Sequence, residues 1–411
     1  MYLLENDFLE ARKMSEMNYD LIILGGGPAG LAAGIYGGRA RLNTLIIEKG
    51  TVGGRAETTR EIVNYPGVKE TTGPDLTGQM REHAEKFGVT IVKETPKEIT
   101  LEGETKIVQT RKNTYKAPAM IIATGTSARI LGIPGEKEFA GAGVAYCATC
   151  DAEFFKDQHV CVIGSGDQAI EESMFIAKFA EKVTIIVLHE EGHLDCNKVA
   201  AEKAFAHPKL NFVWNSVPNA ILGEDEVSAL QVKNVKTEEL TDIDCAGVFF
   251  FVGAVPATKG LTDKGLAFDE RGYLLTNDRM ETNLEGVYAV GDVRQKYLRQ
   301  VVTSAADGAI AATAAERYIE EVKDFNTRIL GSDKPVLLGF WSQEYNGSLE
   351  AIQAVDAKAA KAGTHMFVEV DYMRKKTLAN KFNITLSEEQ PAVIIELVNG
   401  EKTREVTADT L

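Results

Sequence analysis

Basic residues are in short supply in this chain. Lys and Arg number 45 against 60 Asp and Glu, a formal charge of −15. A surface of that sign repels phosphate backbones and anionic headgroups, which argues against nucleic acid and acidic membranes as partners. Cysteine is scarce too: five in 411 residues, scattered, which excludes the disulfide framework of a small secreted domain. No apolar run reaches the length of a membrane span. The first sixteen residues, MYLLENDFLEARKMSE, lack the apolar centre of a signal peptide, so a cytoplasmic protein is expected. No Cys/His spacing suits zinc and the six histidines are dispersed, so no metal site is expected.

Glycine, by contrast, is plentiful, at 37 residues beside 44% hydrophobic ones. That combination suits an α/β protein with several tight turns, and the length allows two or three domains. An apolar strand over 19–24 runs into Gly25-Gly26-Gly27-Pro28-Ala29-Gly30, then a helix over 31–40 and a strand over 44–47 ending at Glu48. A second unit repeats the pattern, with strands over 160–163 and 183–187 around a helix over 168–179. Residues 286–292 read as a late strand returning to the first sheet, so the second unit is inserted in the first.

The expected fold class is therefore α/β, with two Rossmann-like dinucleotide-binding domains, the second inserted in the first, and a C-terminal α/β domain. The boundaries predicted are an N-terminal extension over 1–18, read as a frayed helix, a first domain over 19–131 and 255–322, and a central domain over 132–254. A charged helix over 311–322 precedes a polar linker over 323–334. The last part, 335–411, reads strand, helix, strand, helix and two strands joined at Asn399-Gly400, a strong hairpin signal.

Three motifs carry chemistry. In the first turn, Gly25, Gly27 and Gly30 permit a tight bend, close approach of a pyrophosphate and helix–strand contact, with Pro28 and Ala29 opening the helix. Glu48, roughly 20 residues on, is placed to accept from ribose hydroxyls. In Cys147-Ala148-Thr149-Cys150-Asp151, two sulfurs one helical turn apart suit disulfide exchange, and Asp151 suits proton transfer as the dithiol forms. A half zinc site is the alternative, but its second pair is missing. The third motif is a second glycine turn, Gly164-Ser165-Gly166-Asp167-Gln168-Ala169. A two-cysteine couple between two dinucleotide turns reads as a flavin-linked disulfide reductase. Cys161 and Cys245 lie in or beside predicted strands and read as inert core; Cys196 has no visible partner.

Over 19–322 the chain resembles the bacterial low-molecular-weight thioredoxin reductases. The matching stretches are Gly25 to Leu31, Asn64-Tyr65-Pro66-Gly67, Ile121-Ile122-Ala123-Thr124-Gly125, Cys147 to Asp151, Gly291-Asp292-Val293 and Arg299-Gln300-Val301-Val302-Thr303. The resemblance implies FAD, held by the first turn and Glu48 with Lys49. It also implies a lining of Gly54, Arg55, Asn64, Ala123, Thr124, Gly125, Gly291, Asp292, Arg299, Gln300 and Val301, with Asp292 at the ribityl chain. By the same resemblance Cys150 faces the flavin, Cys147 attacks the substrate disulfide, and the partner is thioredoxin or a thioredoxin-like protein. The family is homodimeric, and its central domain rotates to present either nicotinamide or the cysteines.

The departure lies in the donor site. The family's second Rossmann strand ends H-R-R-x-x-x-R, whose arginines grip the 2′-phosphate of NADPH; here the counted positions are Val187-Leu188-His189-Glu190-Glu191-Gly192-His193. No Arg or Lys occurs between Lys182 and Lys198, and two carboxylates face the phosphate position, so poor use of NADPH is expected. Two donors remain. Ferredoxin is favoured by the resemblance to relatives with decayed nucleotide motifs. NADH is the alternative, through Gly164, Gly166 and Ala169 with Glu190 on the ribose. A slow redox sensor and an NADH oxidase or peroxide-linked reductase are further alternatives.

Residues 333–411 resemble a shortened thioredoxin domain. Phe340-Trp341-Ser342-Gln343-Glu344-Tyr345-Asn346-Gly347-Ser348 matches F-W-A-x-W-C-G-P-C, with Tyr345 and Ser348 in place of both cysteines. Gln390-Pro391-Ala392 matches the cis-proline region, and Asn399-Gly400-Glu401 the hairpin. Such a domain cannot exchange thiols. It reads as a vestigial structural module, a docking or dimer-contact module, or a mimic of docked thioredoxin. The sequence leaves the isomer of the bond before Pro391 open.

Overall fold

A computed structural model describes residues 15–59, 62–373, 375–407 and 409–410, apart from the side chains of Thr149, Cys150 and Lys376. At its centre is a five-stranded parallel sheet. Leu21–Leu24 lies between Thr44–Glu48 and Ala119–Ile122, with Thr90–Lys93 and Val287–Ala289 outermost. The three inner strands are near-continuous Leu, Ile, Met and Ala because both faces are covered, and their side chains are almost wholly buried. The chain leaves Leu21–Leu24 for one neighbour and later returns to the other, so a crevice opens above the carboxyl ends of Leu24 and Ile122. The helices Pro28–Arg39 and Val301–Asp324 cross on one face of this sheet, where Gly308 lies so close that a Cβ there would overlap the Ala29 carbonyl.

Two crossing segments, Thr126–Ala128 and Ala254–Pro256, pair antiparallel. Between them in sequence lies a second parallel sheet, ordered Val144–Ala145, Gly247–Phe250, His159–Ile163, Lys182–Ile186, Leu210–Val213. An antiparallel meander follows, of Ser216–Gly223, Val227–Asn234 and Leu240–Asp244. The return of Val287–Ala289 beside Ala119–Ile122 makes the second unit an insertion in the first.

Two expectations are corrected. Ser15–Asn18 is not helical: it is a strand parallel to Asn113–Ala117, fixed by Ser15 Oγ donating to Asn113 and by a Lys116–Glu16 ion pair. Residues 1–14 of the predicted extension lie outside the described residues. The polar linker over 323–334 is largely helical. The helix Val301–Asp324 continues as a π-helical turn, Phe325–Leu330, whose Phe325 and Ile329 are buried against Leu338 and Phe340. An i, i+4 apolar pair inside a charged stretch drives that continuation.

The C-terminal sheet is ordered Met366–Asp371, Val336–Trp341, Val393–Val398, Glu401–Glu405. Its first pair is parallel, crossed by the helix Ser348–Ala362, and the others are antiparallel. Asn399 and Gly400 both have positive φ, 53° and 83°, which the two-residue hairpin requires. No described peptide bond is cis, that before Pro391 included. This unit is seated on the long helix: Glu321 Oε1 accepts from the Leu378 amide at 3.1 Å, and Lys375 pairs with Asp324 at 3.1 Å.

Candidate functional site

The first glycine turn sits at the crevice. Gly25 has φ +108°, and a Cβ on it would overlap the Ala123 carbonyl; one on Gly30 would overlap the carbonyl of Gly25. Only glycine satisfies both positions. The helix Pro28–Arg39 then starts at Gly27 with no side-chain cap, which leaves its first amides for an anion. Glu48, at the end of its strand, accepts from the Gly26 and Gly50 amides at 2.7 Å each, which fixes the carboxylate beside the turn. Lys49 is exposed next to it.

The other predicted flavin residues surround the same crevice. Arg55 Nη1 donates to Thr126 Oγ1 at 3.0 Å, and Asn64 Nδ2 donates to Gln300 Oε1 at 3.2 Å. Gln300 and Thr303 form a capping box at the start of the helix that contains Val301. Gly291 donates its amide to Asp307 at 3.0 Å, and Asp292 Oδ1 accepts from Ser304 at 3.1 Å. Arg299 stacks 3.9 Å over the Tyr273 ring and donates to the Asp292 carbonyl, so it braces the loop. Thr124 Oγ1 is buried without a hydrogen-bond partner, alone in this among the described residues, and Gly125 beside it has φ +67°. A desolvated hydroxyl is costly unless something pairs with it. With the uncapped helix and the two-glycine cradle, it fits a bound FAD.

Cys147 is disulfide-bonded and opens the short helix Ala148–Asp151. The side chain of Cys150 lies outside the described residues. Ala148 and Ala152 anchor this turn in the core of the inserted domain. Just before it, the wholly buried Glu136 accepts from the amides of Leu131, Gly132 and Ile133 and from Tyr146 Oη at 2.8 Å. Burial pushes the Asp151 carboxyl above its ordinary range. Cys161 and Cys245 are buried free thiols, and Cys196 is half-buried and free.

The second glycine turn keeps its geometry. Gly164 has φ +125°, a Cβ there would overlap the Phe251 carbonyl, and Gly166 opens the helix Asp167–Ile176 without a side-chain cap. Its register agrees with the sequence count, which puts Glu190 three residues beyond the position of Glu48. Gly25 donates to the Ile47 carbonyl and Gly164 to that of Ile186, so the position of Glu48 is taken by Val187, not by Glu190. Val187 is wholly buried. Beyond it a cleft of about 470 Å³ opens, lined by Leu188, His189, Glu190, Glu191, His193, Asn215, Val235 and Lys236. Lys236, from the meander, pairs with Glu190 at 2.9 Å and holds its carboxyl below the usual range. Sequence reasoning missed this cation because it lies far along the chain. The dispersed histidines are also not all apart: His189 and His193 meet edge-to-face at 5.0 Å, beside Asp195. The spacing H-x-x-x-H-x-D was the available signal.

The parts together, a dinucleotide crevice, a paired cysteine in an inserted domain and a second dinucleotide turn, define a flavin-dependent disulfide oxidoreductase. The family described as pyridine nucleotide-disulphide oxidoreductase matches residues 19–308. The thioredoxin reductase of Peptoclostridium acidaminophilum is 48% identical over 309 residues, covering 74% of this chain and 97% of that one. That of Bacillus subtilis is 42% identical over 310 residues, covering 75% and 97%. Among solved structures, Lactococcus lactis thioredoxin reductase in its FR conformation is 41% identical, with a TM-score of 0.71 over 74% of this chain and 99% of that one. This chain belongs to the thioredoxin reductase family.

Proposed function

We propose that the chain passes electrons from FAD to the Cys147–Cys150 pair and on to the disulfide of a thioredoxin or thioredoxin-like protein. The observation that carries this reading is the disulfide-bonded Cys147 at the start of the short helix that ends in Asp151. Bound FAD supplies the two-electron store. Once the pair is reduced, the Cys147 thiolate attacks one sulfur of the substrate disulfide, and the other leaves as a thiolate that takes a proton. Cys150 then attacks Cys147, which releases the substrate as a dithiol and re-forms the pair. In this reading Asp151 supplies and recovers that proton.

For the donor, the intact second turn and the open cleft beyond Val187 support a pyridine nucleotide. Formal charge in the cleft, Glu190 and Glu191 against Lys236, disfavours a 2′-phosphate, so NADH is preferred to NADPH. The loss of the arginine clamp supports ferredoxin as the second reading. The C-terminal sheet, with one parallel pair, a crossover helix and an antiparallel hairpin, supports a degenerate thioredoxin-like module. In it Ser348 Oγ takes the Ser342 amide at 2.9 Å and donates to the Pro391 carbonyl at 2.6 Å, a structural use of a former thiol position. A homodimeric, cytoplasmic enzyme is the accompanying reading. Anaerobic titration of the flavoprotein tests the donor: NADH should bleach the flavin absorbance, and NADPH at least ~10-fold less efficiently. Bleaching by reduced ferredoxin alone would overturn the nucleotide reading.

A further inference from the structure

We propose that His189, His193 and Asp195 form a binding site for a divalent transition-metal ion of the zinc class. The three residues each bring one ligand atom within 4.8 Å of the others. His189 Nε2 already lies 2.8 Å from Asp195 Oδ2. Metal–ligand bonds of roughly 2.0–2.2 Å lie within reach of such a cluster after small side-chain rotations. Two imidazoles and a carboxylate are a zinc-type donor set, and three protein ligands leave zinc's fourth position to water.

The loop that carries them is held in place. His193 donates its amide to the Glu190 carbonyl at 3.0 Å, and Gly192 between them has φ +82°. Asp195 forms an isolated parallel β-bridge with Gly166, and Asn197 donates its amide to Asp167 Oδ1 at 2.6 Å. Ser165 Oγ donates to Asp195 Oδ2 at 2.8 Å and orients the carboxylate, as an outer partner of a metal ligand does. Glu191 adds negative potential at the mouth, while Glu190 is paired with Lys236. None of the three proposed ligands has a part in the disulfide exchange, and His189 and His193 also line the cleft read as the nucleotide donor site.

The test is calorimetric titration of ZnCl2 into chelator-stripped, FAD-loaded, oxidised protein at neutral pH, with bound metal counted after desalting. Oxidation keeps Cys147 in its disulfide and out of the competition. About one ion per chain is expected. His193→Ala and Asp195→Asn should each weaken binding by at least ~10-fold, with an unchanged flavin spectrum as the check on folding. His365→Ala, a histidine paired with Glu396 elsewhere, should bind as the parent does. No zinc uptake, parent affinity in His193→Ala, or an equal loss in His365→Ala would overturn the proposal.

Discussion

Glu48 and Val187 stand at the same register position in the two parallel sheets, and the contrast between them separates the two crevices. The first holds a fixed carboxylate beside its glycine turn; the second offers an alkyl wall and moves its charged groups a few residues outward. The sequence count already puts Glu190 three residues beyond the position of the first-domain acid, and the two ladders set Val187 there. Thr124 is the complementary case. The motif implies a flavin contact there, and the orphaned Thr124 hydroxyl is an observation that supports that reading. Thr124→Val should raise the melting temperature of the apoprotein, because a desolvated hydroxyl is removed. It should also weaken FAD by about 1 kcal/mol, or roughly fivefold, read from the FAD dissociation constant.

At the scale of elements, the inner strands were legible because Ile, Leu and Val runs bounded by glycine suit sheets covered on both faces. The Ser15–Asn18 strand was not, since SEMN has no apolar pattern and is held by its neighbour's ladder. The continuation of the long helix through 325–330 was masked by its polar residues, although Phe325 and Ile329 carry the helical spacing. Around the redox helix the decisive element is the turn at Glu136. Its carboxylate gathers three amides and the Tyr146 hydroxyl ahead of Cys147. Glu136→Ala strands all four donors and should cost about 3 kcal/mol in denaturant unfolding. An unchanged midpoint would show that water replaces the carboxylate without loss.

Across the whole molecule, the inserted domain meets the flavin domain through one face of the helix Asp167–Ile176. Arg55 Nη2 donates to Gln168 at 3.4 Å, and Glu172, one turn on, is half-buried. Burial, with help from Glu171 and against the pull of Arg55, lifts the Glu172 carboxyl to about 7. A carboxyl raised on folding gives its full contribution to stability below its unfolded value, about 4.3. That contribution is lost as pH rises through about 7. Glu172→Gln should therefore flatten the fall in melting temperature between about pH 4 and 7, by about 3 °C. A parallel pair of curves would place the titration elsewhere. The domain order and both glycine turns were legible in the sequence, because each is a local pattern. The contacts of Lys236, Arg55 and Glu172 were not, because each joins distant segments.

The most direct measurement is a single-turnover transfer. The flavoprotein, reduced anaerobically with dithionite so that no physiological donor is needed, is mixed with oxidised thioredoxin, and flavin reoxidation is followed. The parent protein should deliver its electrons to thioredoxin, and Cys147→Ser should slow that step by about 10³-fold or more while its flavin still reduces. Transfer at the parent rate in Cys147→Ser would contradict the assignment of electron flow through the cysteine pair.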